Sequence, residues 1–126
     1  MKKELFAAIL LAVILLLSMI NTQVLEALAN DMAEYVLSAK ECANLEQWRE
    51  AEENILKSVA VLYNNEMYFH IILHHSEINE LNDNFFDLLE AVYRKDIPSV
   101  KAMSELVVSN LDSIVTSERL NIGSIL

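Results

Sequence analysis

Apolar side chains run without a charged interruption from Leu5 to Ile20, with Ser18 the one polar residue among them. As a helix this stretch is about 24 Å long, and the uncharged residues 21–25 bring it to the length that crosses a bilayer core. Beyond it the pattern changes from continuous to periodic. Leu25, Leu28, Met32, Tyr35, Ala39 and Cys42 recur at alternating spacings of three and four, as on a helix with one packing seam. No breaker separates the two patterns. They therefore predict one first helix from Lys3 to Cys42, its lower part an anchor and its upper part a stalk.

Three further helices follow from the same periodicity. Asn44, with Gln47 three residues on, is read as the cap of a second helix whose stripe is Leu45, Trp48, Ile55, Val59 and Leu62, with Glu52 as its polar exception. That helix is expected to reach His74 with a kink near Asn64. A third shows Ile78, Leu81, Phe85, Leu88 and Val92, and ends at Arg94-Lys95, where cations complement the helix dipole. Asp96 then caps a fourth, with Pro98 in its first turn, where a missing amide hydrogen costs little. Its stripe is Val100, Met103, Val107, Leu111 and Ile114, and Thr116-Ser117 is expected to close it. Residues 120–126 are expected to pack back on the bundle.

The chain of 126 residues contains one Gly and one Pro, too little material for the tight turns of hairpins and sheets. The expected fold is all-α: an N-terminal transmembrane helix continuing into an extracytoplasmic antiparallel four-helix bundle. Residues 1–23 form the anchor and residues 24–126 an acidic helical bundle domain. Lys2 and Lys3 flank the short N-terminal side, so the positive-inside rule leaves that end in the cytoplasm and the domain outside. A cleaved signal peptide is the rival reading, because Ala27-Leu28-Ala29 has the small-x-small pattern of a cleavage site. That site lies well beyond Ile20 on a continuous helical pattern, so the retained single-pass anchor, holding the bilayer through residues 5–25, is preferred.

Charge narrows the partners. Beyond Ile20 there are 18 acidic and 7 basic residues, a formal charge of −11. A nucleic-acid backbone needs a basic face, which excludes that class, and an anionic lipid surface is disfavoured for the same reason. Cys42 is the one cysteine, so it has no partner within the chain; on the heptad seam it reads as an inert core thiol. The same seam, residues 25–42, offers a route to a homo-oligomer.

Candidate chemistry is sparse. His70 and His74 share a helix face, and His75 and Glu77 follow. Imidazole and carboxylate suit zinc, which makes His70, His74, His75 and Glu77 the candidate metal set. His75 and Glu77 also sit at an expected helix junction, where they could satisfy free carbonyls and amides. Glu50, Glu52 and Glu53 with Asp83, Asp87 and Glu90 read as a solvated acidic face, because the Glu-x-x-His motif of di-metal bundles is absent. No phosphate loop and no catalytic nucleophile is recognisable, so no enzyme activity is assigned. Trp48, Tyr63, Tyr68 and Phe69 are the aromatic candidates for contact with another protein.

Several groups of residues carry a resemblance in combination. They are Trp48-Arg49-Glu50-Ala51-Glu52 and His75-Ser76-Glu77-Ile78, each opening a helix, the Arg94-Lys95-Asp96 junction, and the closing Leu120-Asn121-Ile122-Gly123-Ser124-Ile125-Leu126. Together with the Lys-Lys and hydrophobic N-terminus, they make the chain resemble domain-of-unknown-function family 4363, short membrane-anchored bacterial proteins chiefly of spore-forming Firmicutes. Leu62-Tyr63 stands where that family's pattern has a second Trp, and Ser124 where it has Asn. The resemblance implies a surface-anchored helical module in a bacterial cytoplasmic membrane and transfers no catalytic residue. The expected function is that of an extracytoplasmic interaction or scaffold module for an unidentified membrane or envelope protein. The alternative is a metal- or small-ligand-binding exported protein using His70, His74 and His75.

Overall fold

Five α-helices and no strand occur among the described residues: α1 (Lys2–Asn44), α2 (Trp48–Asn64), α3 (Glu66–Ile72), α4 (His75–Tyr93) and α5 (Ile97–Ile125). The computed structural model describes the backbone of residues 1–125 and the side chains of residues 1–120. The 43 residues of α1 make a rod about 64 Å long. No side chain before Leu25 is buried, and an 18-residue stretch of α1 is apolar enough to cross a membrane with none of it covered by protein.

From Leu25 upward α1 becomes a core element. Leu25, Met32 and Ala39 are fully covered, as the heptad pattern predicts, but Ala29, Val36 and Ala43 are buried beside them, while Leu28, Tyr35 and Cys42 are only half-buried. The reason is that two helices, α2 and α5, pack on α1, so the buried stripe is wider than the seam of a single partner. Alanines on one flank let a neighbouring backbone approach closely. The chain's own helices thus cover Leu25, Met32 and Ala39 of this seam and leave Leu28, Tyr35 and Cys42 partly open. Cys42 meets Asn54, whose Nδ2 lies 3.8 Å from the thiol sulfur.

The helix expected from Asn44 to His74 is shorter at its start and broken in two. α1 continues through Asn44, so Asn44 ends a helix rather than capping one, and Leu45 falls in the connection, exposed. On α2 the buried positions are Ala51, Ile55, Ser58 and Leu62. Ser58 donates its hydroxyl to the Met32 carbonyl at 2.9 Å, so a small polar residue both admits close packing and stays satisfied. Asn65 interrupts the helix: its side-chain amide donates to the Val61 carbonyl at 2.8 Å, the local competition with backbone bonding that makes Asn a poor helix interior residue. Leu73 and His74 are extended and separate α3 from α4.

The stripes of the last two helices match expectation closely. Ile78, Leu81, Phe85, Leu88 and Val92 are all buried, as are Val100, Val107, Leu111 and Ile114, with Met103 half-buried. α5 does not stop at Thr116-Ser117. Those two side chains are exposed and so interrupt nothing, and Arg119 on the next turn pairs with Glu26 of α1. The expected return of residues 120–126 lies outside the described side chains except for Leu120, which is exposed.

With glycine nearly absent, two turns use other residues in the left-handed region. Glu46 has φ 58° and Lys95 φ 55°. After α1, Gln47 N–H donates to Cys42 and Glu46 N–H to Ala43; after α4, Asp96 N–H donates to Ala91 and Lys95 N–H to Val92. Both are Schellman motifs, a closure that normally recruits glycine because a Cβ is crowded there. Asp96 works twice. Besides closing α4, its carboxylate opens α5 by accepting Ser99 N–H at 3.3 Å and Ser99 Oγ–H at 2.7 Å, and these bonds hold its carboxyl below the ordinary value.

Glu46→Gly and Lys95→Gly should each raise stability by about 1 kcal/mol by relieving the left-handed strain; unchanged chemical-denaturation midpoints for both would refute the strain. Asp96→Ala should lower Tm by a few degrees at neutral pH. Because folding depresses the Asp96 pKa, its contribution is complete above the ordinary carboxylate range and fades as pH falls through the lowered value. The gap in Tm between wild type and Asp96→Ala should therefore close in acid.

Candidate protein-interaction groove

α2 and α4 touch more lightly than the other main helix pairs, and between them runs an open groove. Its upper part, about 290 Å³, is lined by Val59, Tyr63, Asn82, Asp83, Phe85, Phe86 and Leu89. A smaller recess shares Tyr63 and Asn82 and continues the groove down to α3, adding Leu62, Glu66, Phe69, His70 and Ile78. Phe85 belongs to the core stripe and forms part of the floor. Phe86, one residue on, turns about 100° around the helix and stands at the rim, 69% exposed, while Tyr63 faces it from α2, 59% exposed.

Polar contacts close the groove at each end. At the top, the Tyr93 hydroxyl donates to Glu52 Oε1 at 2.9 Å, which explains the polar exception in the α2 stripe: Glu52 reaches across to α4. That bond, and the repulsion a tyrosinate would feel beside the carboxylate, raise the Tyr93 pKa. At the bottom, His70 Nε2 lies 3.4 Å from Glu66 Oε1, one turn away on α3. Acidic Asp83 and Glu66 thus border an aromatic channel, and neither Lys nor Arg is among the residues that line it.

The predicted contact residues divide between surface and core. Tyr63 lines the groove in the open. Phe69 is 3% exposed and packs edge-on against Tyr68 with ring centroids 5.7 Å apart. Trp48 is half-buried against the core at the opposite end of α2. Tyr68 faces α1, donating to the Asn21 backbone carbonyl at 2.9 Å and lying 2.8 Å from its side-chain oxygen; burial, then Glu118, push its pKa up. Phe86 and Tyr93 complete the groove without having been singled out, and Glu52 was marked only as the polar exception of its stripe and as part of a solvated acidic face. Phe86 was legible in principle, since an aromatic one place off the stripe must point away from the core.

The proposed metal set does not assemble. His70 and His75 approach with ring centroids 5.6 Å apart, but His70 is turned to Glu66, and Glu77 faces α5, lining a recess with Glu80, Asn110, Ser113, Ile114 and Ser117. Among the described residues no three His, Cys, Asp or Glu side chains are arranged to hold a metal ion. Nor do His75 and Glu77 cap the junction by side chain: the Glu77 and Ile78 amides bond the His74 carbonyl instead.

A family model described as Domain of unknown function (DUF4363) matches residues 19–125. The chain belongs to this family. No curated protein and no solved structure matches it. The DUF4363 match begins at Met19, so it takes in every buried residue and the Asn21–Tyr68 contact, and leaves most of the exposed apolar stretch outside. Within this DUF4363 chain the groove combines exposed aromatic rings, Tyr63 and Phe86, with a floor that includes buried Phe85.

The Tyr93–Glu52 bond has a titration signature. Folding raises the Tyr93 pKa, so the bond is intact below the ordinary tyrosine range and is lost as pH rises through the raised value. In an ultraviolet titration, Glu52→Gln should move one late-ionising tyrosine to lower pH and Tyr93→Phe should remove it; a curve unchanged by Glu52→Gln would exclude the contact.

Proposed function

We propose that this DUF4363 chain is a single-pass membrane protein whose acidic helical module binds an apolar, basic helical segment of another membrane or envelope protein in the α2–α4 groove. Residues 5–25 cross the bilayer with the N-terminus inside. In this reading the module stands outside as an antiparallel four-helix bundle, with α2 and α3 acting as one bent helix.

One observation carries the binding role: an open groove with aromatic rims, an apolar floor and acidic borders in a strongly acidic domain. A helix laid there would fill the floor with apolar side chains at i, i+3 and i+4 and meet Asp83 and Glu66 with cations. The bundle direction draws support from the order of pairs along α1. Glu26 meets Arg119 and Lys40 meets Glu105; Asn21 meets Tyr68 and Met32 meets Ser58. In both series the numbers fall as α1 rises. The anchor draws support from the exposed apolar run and from Thr22, whose hydroxyl bonds the Ser18 carbonyl at 3.0 Å. A span needs such internal satisfaction of its polar groups.

A photo-crosslinking residue at Phe86 in intact membranes should give a discrete adduct with another protein, and the same residue at Lys101 should not. Tyr63→Ala should lower the adduct yield roughly tenfold, the effect of losing an aromatic anchor of about 1–2 kcal/mol. Its fold is expected to be unchanged, because Tyr63 is exposed. Equal labelling from Phe86 and Lys101 would refute the groove, and an adduct of twice the chain mass would point to self-association instead.

A further inference from the structure

We propose that α3, with the adjoining end of α5, rests in the interfacial layer of the bilayer, so that the domain sits on the membrane by its lower end as well as hanging from the α1 stem. The inference rests on the anchor reading above and goes beyond it: a stem alone would leave the domain free to stand clear of the lipid.

The height of α3 is set by Tyr68. Its hydroxyl bonds Asn21, one turn below Leu25, where α1 first becomes buried, and therefore inside the last turns of the uncharged segment. Arg119 of α5 reaches the same level, bordering a shallow recess with Met19, Thr22 and Gln23. At this height α1, α3 and α5 each expose apolar side chains. Met67 and Ile71, one turn apart on the same side of α3, are 79% and 77% exposed, Leu120 is 69% exposed, and Ile20 and Val24 of α1 are also open.

Single exposed apolar residues are ordinary. Here they lie on three elements at one level, directly continuous with the apolar run of α1, in a domain that is otherwise strongly acidic. The local chain geometry holds them outward. The break at Asn65 and the extended Leu73-His74 set α3 apart from α2 and α4, so Phe69 and Leu73 enter the core while Met67 and Ile71 point away. Interfacial helices are built this way, with an apolar face toward the acyl boundary and Tyr, His and Arg at headgroup level. Glu66, Glu77 and Glu118 at the same end match a zwitterionic surface rather than an anionic one.

The test uses the full chain in phosphatidylcholine vesicles, with Cys42→Ser to clear the native thiol and single spin-labelled cysteines at Leu11, Ile71 or Lys101. Collision with oxygen, which concentrates in lipid, is compared with collision with a water-soluble nickel complex. Leu11 should read as lipid and Lys101 as water, and the oxygen-to-nickel ratio at Ile71 should exceed that at Lys101 roughly tenfold, as expected for an apolar layer. A ratio at Ile71 equal to that at Lys101, with Leu11 still lipid-like, overturns this proposal and leaves the anchor standing. A water-like Leu11 overturns both, and an Ile71 label shielded from both reagents would mean that protein, not lipid, covers α3. Circular dichroism checks the fold of the labelled chain, with Met67→Cys on the same face as the substitute if Ile71→Cys loses helicity.

Discussion

The packing of the upper stripe of α1 between α2 and α5 is the interaction on which the rest of the structure depends. Leu25, Met32 and Ala39 are fully covered, flanked by Ala29, Val36 and Ala43, and together they give the neighbouring helices a continuous surface to pack on. Burying such apolar surface supplies roughly 25 cal/mol per Å², and no other element presents so long a stripe to two partners. Since α1 is one uninterrupted helix, the orientation of its exposed lower part is fixed by the packing of its upper part. A rigid rod transmits that constraint without further contacts.

Small residues decide how close the helices come. Ala29, Ala39, Ala43, Ala51, Ser58, Ala91 and Ser104 are all buried, and they let backbones approach where a larger side chain would hold them apart. Where larger groups meet instead, between α2 and α4, the helices leave a groove. Val59, Phe85 and Leu89 form its apolar floor, but Tyr63 and Phe86 are too large and too divergent to fill it. The site is thus a consequence of uneven helix spacing, bridged at the top by Tyr93 and Glu52.

Near-absence of glycine shapes the connections. Glu46 and Lys95 occupy left-handed positions, and Asp96 serves as both the end of one helix motif and the cap of the next. The capping role of Asp96 was readable from Asp-x-Pro spacing, because that signal is local. The boundaries at Asn44 and Thr116-Ser117 were less legible: Asn44, read as the cap of α2, is the last residue of α1, and Thr116-Ser117, chemically able to end a helix, stand exposed while α5 runs past them.

The amino-acid order alone determined that the chain is helical, where its apolar run lies, and which faces of α4 and α5 are buried, because each of these follows from composition or from a period of 3.6 within one segment. It also marked His70, Tyr63 and Phe69 as residues of interest, though not what they do. Only the tertiary structure decided that the α1 seam is filled by two helices rather than one, that Phe69 belongs to the core, that Glu77 faces α5, and that Tyr68 reaches back to Asn21. Each of these depends on contacts between residues far apart in the chain, and periodicity within a helix carries no information about which neighbour its faces will meet.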